Sequence, residues 1–246
     1  MTIKPIHTVI DLFCKEKSLD FNKLKFLDVG CGSGDSVKKL LNISIDAYGC
    51  DISFKQGENL DFLLMNNRVL HMKLDENKVY RIPYSNNTFD IVYADQVVEH
   101  IKDIKSFIKE VFRVLKPSGF FIAYFPSRYK LIEPHVGIPI GGMISQKWYI
   151  KLCVLLGLYY RKKYKNSTSI TSDIKNYLDD KTFYRSKKNI GLLFREVFSS
   201  VSYREDLLLT AMKKRSSANF LTKIPKGIKT YGILWSHCLI AEKASQ

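Results

Sequence analysis

Acidic side chains are scarce in this chain. Asp and Glu number 24 against 39 Lys and Arg, leaving a formal net charge of +15 over 246 residues. So large an excess disfavours basic partners and suits anionic ones: nucleic acid, an anionic membrane surface, or phosphorylated and acidic substrates. Cysteine is sparse as well. Cys14, Cys31, Cys50, Cys153 and Cys238 are scattered, with no C-x-x-C pair and an odd count, which argues against a disulfide framework and for a reducing compartment. No apolar run approaches the roughly 18 to 20 residues that cross a bilayer. The opening segment "MTIKPIHTVIDLFCKEKSLD" lacks the apolar run and small-residue cleavage site of a signal peptide. The expected location is therefore cytoplasmic, with at most peripheral contact at the inner membrane face. Internal repeats and low-complexity segments are also missing. A chain of this length buries one sizeable core, so the expectation is a single domain over 1–246, with 127–188 as an insertion.

What is present is alternation. Ile6, Val9, Ile10 and Phe13 have helical spacing and predict a leading helix over about 4–17. Phe26 to Val29 reads as a short buried strand, followed by a helix from Ser33 to Leu41. A second strand ends at Asp51, with Ser53 placed to cap a helix running to Leu64. Val69 to Leu74 reads as a third strand and Phe89 to Ala94 as a fourth. A helix over Ile104 to Leu115, a turn at Lys116 to Gly119 and a fifth strand over Phe120 to Phe125 complete the regular part. Strands alternating with helices imply a parallel sheet covered on both faces, with ligands beyond the carboxyl ends of the strands. After the insertion, a helix over Ile190 to Phe198 and closing strands over Val201 to Asp206 and Tyr231 to Ala241 are expected. A basic segment around Lys213, Lys214 and Arg215 lies between those two strands.

The first strand runs into "LDVGCGSGDS". The spacing G-x-G-x-G differs from the G-x-G-x-x-G of dinucleotide binders. Asp28, two residues before the first glycine, would repel a pyrophosphate and attract an amino group. Asp51 ends the second strand, where a carboxylate accepts hydrogen bonds from ribose hydroxyls. Asp75 ends the third, within reach of an adenine amine. Three carboxylates around a glycine-lined slot suit a cationic adenosyl amino acid, S-adenosylmethionine.

These stretches, with "IPYSNNTFDIVYADQVVEHI" and "EVFRVLKPSGFFIAYFP" in the same order, resemble the class I S-adenosylmethionine-dependent methyltransferases over about 24–126. The resemblance implies an α/β, Rossmann-like, doubly wound sheet of seven strands, mostly parallel with the last antiparallel, and a helical lid inserted after the fifth. It implies that Asp28, Gly30, Gly32 and Gly34 hold the methionine end, with Cys31 beside them. Asp51 and Ile52 would take the ribose side, Asp75 (less surely Glu76) the adenine, and Asp95 and Gln96 the methionine side. The segment "FPSRYKLIEPHVGIPIGGMISQKWYIKLCVLLGL" is similar to a subset associated with bacterial surface-polysaccharide biosynthesis. That likeness implies O-methylation of a sugar hydroxyl on a surface glycan or its nucleotide- or lipid-linked precursor.

Methyl transfer from a sulfonium needs an aligned nucleophile and a proton acceptor. His135 and His100, with Glu99 adjoining, are the catalytic candidates because both segments follow strands that end at the expected site. Gln96, Glu99 and His100 stand at helical i, i+3, i+4 spacing. With His135 they suit a divalent cation such as Mg²⁺, and they resemble the E-x-x-E-H motif of some metal-dependent methyltransferases, with Gln96 in place of its first glutamate. The metal candidates are thus Glu99, His100 and His135. Glu133, next to Pro134, reads either as a residue orienting His135 or as a plain surface acid, and His7, His71 and His237 read as lying away from the site. Trp148 to Tyr160 is an apolar run ahead of Arg161, Lys162, Lys163 and Lys165. It reads as a helix packing on the domain, as a helix resting on an anionic membrane, or as part of a nucleic-acid surface. An RNA methyltransferase and a non-catalytic cofactor-binding subunit of a glycan-assembly complex stand as alternatives.

Overall fold

The leading helix α1, Pro5–Glu16, starts on a proline, whose missing N–H costs nothing in the first turn. In the computed structural model, which describes residues 5–74, 80–212 and 227–245, Ile6, Val9, Ile10 and Phe13 of this helix are buried as their spacing requires.

Seven strands form the central sheet. β1 (Lys25–Val29), β2 (Asp46–Asp51) and β3 (Val69–His71) lie on one side of the switch point. β6 (Phe89–Asp95), β7 (Leu115–Pro126), β8 (Ser200–Tyr203) and β9 (Ser236–Glu242) lie on the other, in the order β3-β2-β1-β6-β7-β9-β8. The contacts among β3, β2, β1, β6 and β7 are parallel. β9 runs antiparallel to both neighbours, inserted between β7 and β8. The expected mostly parallel sheet with an antiparallel last strand is therefore present. A small hairpin, β4 (Lys73–Leu74) with β5 (Tyr80–Arg81), stands outside it.

Both faces are covered, because inward residues alternate along each strand. On one face, Leu27, Val29, Val92 and Phe121 pack with α4 (Ile104–Val114) through Phe107, Ile108 and Val111. On the other, Phe26, Ile91, Tyr93 and Ile122 pack with α1, with α2 (Asp35–Leu41) and with α3 (Leu60–Met65).

Five local expectations are corrected. The turn expected at Lys116 to Gly119 lies within β7, which runs from Leu115 to Pro126. Ser53 caps no helix: its N–H is taken by the Asp51 carboxylate, and α3 begins only at Leu60. The third strand breaks at Met72, so only Val69–His71 joins the sheet. The strand expected over Val201 to Asp206 ends at Tyr203, and Glu205 starts α8 (Glu205–Ala211). The strand expected from Tyr231 begins at Ser236, after α9 (Gly227–Leu234). The basic segment at Lys213 to Arg215 lies outside the described residues.

Between β7 and α7 (Lys187–Arg195), the chain builds α5 (Lys147–Leu155) and α6 (Ile170–Asp180). They share a separate apolar cluster of Val136, Ile138, Ile150, Cys153, Tyr164, Ile174 and Leu178.

Candidate active site

The loop after β1 is shaped by backbone that only glycine takes at little cost. Gly30, Gly32 and Gly34 all have positive φ, at 79°, 59° and 75°. At Gly30 a Cβ would lie 2.4 Å from Val97 Cγ2, and at Gly34 2.5 Å from Leu63 Cδ1, so the loop is also wedged tightly against its neighbours. The Gly30 N–H donates to the Cys50 carbonyl at 2.7 Å, which ties the loop to the end of β2.

Around this loop the structure gathers most of the residues singled out for a cofactor. Asp28 is buried, directly opposite Tyr93 in the β1–β6 register. The Tyr93 hydroxyl hydrogen-bonds Asp28, and burial beside that carboxylate pushes the phenol well above its usual pKa. His7 Nε2 lies 3.3 Å from the same hydroxyl, so α1 buttresses Asp28 from behind. Sequence reasoning set His7 apart from the site and passed over Tyr93. The period-2 alternation of β6 together with its register against β1 was the one signal that could have found the tyrosine.

Asp51 reaches over the loop. One carboxylate oxygen accepts from the Gly32 N–H at 2.8 Å and the other from the Ser53 N–H at 3.0 Å. Ile52, next in the chain, is exposed at the rim. Cys31 and Cys50 are buried, and burial together with the Asp28 charge raises both thiols far above their ordinary pKa, so neither serves as a nucleophile. Asp95 ends β6, and Gln96 follows with φ 60°, its N–H held by the Tyr124 carbonyl. Asp75 lies outside the described residues.

A second cluster sits just beyond β6. The α-helical i, i+3, i+4 spacing of Gln96, Glu99 and His100 is corrected: the segment Val98–His100 is a single 3-10 turn. The Gln96 side chain points back to the Tyr124 carbonyl, at 3.5 Å, rather than joining the other two. Glu99, His100 and His135 do come together, with one ligand atom of each within 4.8 Å of the others. His100 Nε2 and His135 Nε2 are each 3.9 Å from Glu99 Oε1, and the two rings meet edge to face with centroids 4.7 Å apart.

The charge states follow from the surroundings. The Glu99 side chain is 1% exposed, and neither carboxylate oxygen has a hydrogen-bond partner among the described residues. Burial pushes its carboxyl up to about 8. His135 is pulled down to about 4, first by burial and then by the positive fields of His100, Lys163 and Lys130. Its buried Nε2 likewise lacks a partner among the described residues. His100 Nδ1 lies 2.5 Å from the Lys181 carbonyl and donates to it, which turns Nε2 toward Glu99.

The insertion holds this arrangement. Glu133 is buried, which corrects the surface-acid reading and leaves the one that orients His135. It accepts from the backbone N–H groups of His135 and Val136 at 2.8 and 2.6 Å, and from the Tyr184 hydroxyl at 2.6 Å. The Phe183 N–H donates to the Glu99 carbonyl at 2.6 Å, and Lys163 Nζ to the His135 carbonyl at 2.9 Å. His71 stacks edge-on to Phe54, and His237 pairs with Glu205, both apart from the cluster.

A methyltransferase domain family matches residues 27–123. A ubiquinone biosynthesis O-methyltransferase of Pelagibacter ubique is 25% identical over 88% of this chain and 80% of its own length. A sterol 24-C-methyltransferase of Schizosaccharomyces pombe is 31% identical over 41% of this chain, which spans only 27% of that longer protein. Among solved structures, a phosphoethanolamine N-methyltransferase 2 of Haemonchus contortus, in complex with S-adenosyl-L-methionine, superposes with a TM-score of 0.50 at 15% identity. That match covers 98% of this chain and 53% of the other. A protein of Pyrococcus horikoshii superposes equally well, at 18% identity over 97% and 89%.

Proposed function

We propose that this chain, which carries a methyltransferase domain over residues 27–123, is a class I S-adenosylmethionine-dependent methyltransferase that methylates a hydroxyl group of a small-molecule acceptor. The observation that carries the reading is the Glu99–His100–His135 cluster, its Glu99 buried and without a hydrogen-bond partner among the described residues, as is His135 Nε2, one strand-end from the glycine loop. A sulfonium methyl is already activated, so the work left to the protein is alignment and removal of the hydroxyl proton.

In this reading Asp28 and the Gly30–Gly34 loop seat the methionine end, Asp51 with Ile52 the ribose, and Asp95 with Gln96 the methyl-facing side. His135, neutral at physiological pH, accepts the acceptor proton at Nε2. The imidazolium formed lies 3.9 Å from Glu99 Oε1. Glu133 and Tyr184 are positioning residues that fix the His135 loop, and the Lys181 carbonyl orients the His100 ring.

The same three side chains fit a divalent cation, since a carboxyl and two imidazoles each offer a ligand atom within 4.8 Å of the others. When bound, such an ion would lower the pKa of the acceptor hydroxyl. Within a single 1–246 domain, residues 127–188 form the cover on the acceptor side. A sugar hydroxyl of a surface glycan or of its nucleotide- or lipid-linked precursor is the finer form of the proposal. The full-length similarity to an O-methyltransferase supports oxygen as the acceptor atom.

The test is transfer of labelled methyl from S-adenosylmethionine to a panel of vicinal diols, phenols, nucleotide sugars and RNA, with and without Mg²⁺. Label on an oxygen of a small molecule is expected. Label in RNA alone, or binding of the donor without transfer to any hydroxyl, would overturn the reading.

A further inference from the structure

The apolar run of the insertion does not bury its whole apolar surface. Along α5, Ile150 and Cys153 turn inward, while Trp148, Leu152, Leu155 and Leu156 are 65%, 46%, 76% and 62% exposed. Their spacing, i, i+4, i+7 and i+8, places them on one outward face, as a ridge. Four large apolar side chains side by side on a surface mark an interaction site rather than ordinary scatter.

The charge around the ridge says what kind. Between Glu133 and Asp173 the sequence has no acidic residue, while Lys147, Lys151, Arg161, Lys162, Lys163 and Lys165 fall in that interval. Lys147 and Lys151 alternate with the apolar residues on α5 itself and are exposed. Lysine stems of that length lie along an apolar surface while their ammonium groups reach outward to anions. Trp and Leu on one face with lysines at its border, in a stretch of sequence free of acids, are the pattern of a helix lying in a bilayer interface. No helix among the described residues is long and apolar enough to cross a membrane, so contact would be with one leaflet's surface.

We propose that α5, with the basic turn Arg161–Tyr164 after it, docks this protein on an anionic lipid surface through the Trp148–Leu152–Leu155–Leu156 ridge. The ridge is mechanically continuous with the site. The Tyr160 N–H donates to the Val136 carbonyl, and Lys163 bonds the His135 carbonyl, so the docked segment holds the loop that carries the candidate base. Docking thus presents the acceptor side of the site to molecules held in the membrane. That last step rests on the reading of His135 given above, whereas docking itself does not.

The experiment is vesicle flotation of the full chain with phosphatidylcholine alone and with phosphatidylcholine mixed with phosphatidylglycerol, at low and high salt. Binding of S-adenosylhomocysteine is measured on the same samples. Salt-sensitive flotation with the anionic vesicles only is expected. Leu152→Ser with Leu155→Ser should weaken it tenfold or more, since each leucine loses most of its transfer energy. Lys147→Glu with Lys151→Glu should weaken it by a similar factor, at about fivefold per charge removed and more on reversal. Both pairs should leave S-adenosylhomocysteine affinity unchanged. In a Trp235→Phe background the remaining Trp148 emission should shift to the blue on anionic vesicles. The proposal fails if no vesicle binds at low salt, or if flotation survives both double variants. It also fails if sedimentation shows the ridge closed in a dimer that Leu155→Ser dissociates, or if RNA but not lipid binds and depends on these lysines. Loss of S-adenosylhomocysteine binding with flotation intact would instead count against the cofactor site alone.

Discussion

Replacing Glu99 by glutamine should make the metal-free protein more stable, and increasingly so as the pH rises. The side chain is 1% exposed with no partner for either oxygen among the described residues, and burial raises its carboxyl from 4.5 to about 8. In the unfolded chain the acid ionises above about 4.5; in the folded protein it keeps its proton until about 8. The folded state therefore binds the extra proton in that window, and stability falls as pH rises through it. At about 1.4 kcal/mol for each pH unit, the gap amounts to about 5 kcal/mol by pH 9. Glutamine has the same shape and no charge to bury, so Glu99→Gln recovers most of this at pH 9 and almost nothing at pH 4.5. For a chain of this size about 5 kcal/mol corresponds to about 10 to 20 °C in Tm. Thermal unfolding in chelator at pH 5, 7 and 9 reads the effect directly. A difference between variant and wild type that widens toward pH 9 is expected. A constant difference across that range would show that Glu99 is solvated or already paired, and would undo the electrostatic description of the cluster.

His135→Ala should lower turnover about 100-fold or more while S-adenosylhomocysteine affinity stays within twofold, because general-base catalysis is lost and the donor site untouched; rates near wild type would remove His135 from the chemistry. Asp51→Ala deletes the acceptor of the Gly32 and Ser53 N–H groups and the proposed ribose contact, and should weaken S-adenosylhomocysteine binding about tenfold or more by calorimetry. Unchanged affinity would refute that role. Gly30→Ala should cost about 2 kcal/mol or more, from a positive φ and a Cβ 2.4 Å from Val97, read as a lower Tm with weakened donor binding. A neutral result would mean that the loop is slack. Tyr184→Phe removes the hydroxyl that holds Glu133; turnover should fall with KM for the donor unchanged, and a purely structural role would show instead as a Tm loss with normal turnover.

Much of the sheet was legible because its strands are buried on both faces and so read as apolar runs, and because Gly30, Gly32 and Gly34 announce a turn. The places where the reading failed are those decided by partners distant in sequence. Ser53 reads as a cap, yet its N–H is claimed by Asp51. Tyr231 belongs to an apolar run that resembles a strand, but it lies on α9, stacked on Trp235. Glu133 looks like a loop acid until the chain brings Tyr184 to it from 51 residues away. The candidate base was nameable from its type and its place after β7. The orientation of its neighbour His100 depends on a carbonyl 81 residues on, which no local pattern encodes.

Calorimetric titration of the purified chain with S-adenosylhomocysteine tests the proposed cofactor site at the ends of β1 and β2 most directly. Binding at one site per chain with micromolar affinity, weakened about tenfold or more in Asp51→Ala and retained in His135→Ala, is the predicted result. Absence of binding by the folded wild-type protein would contradict it, because a loop held open by three left-handed glycines beneath Asp28 and Asp51 would then have no ligand to serve.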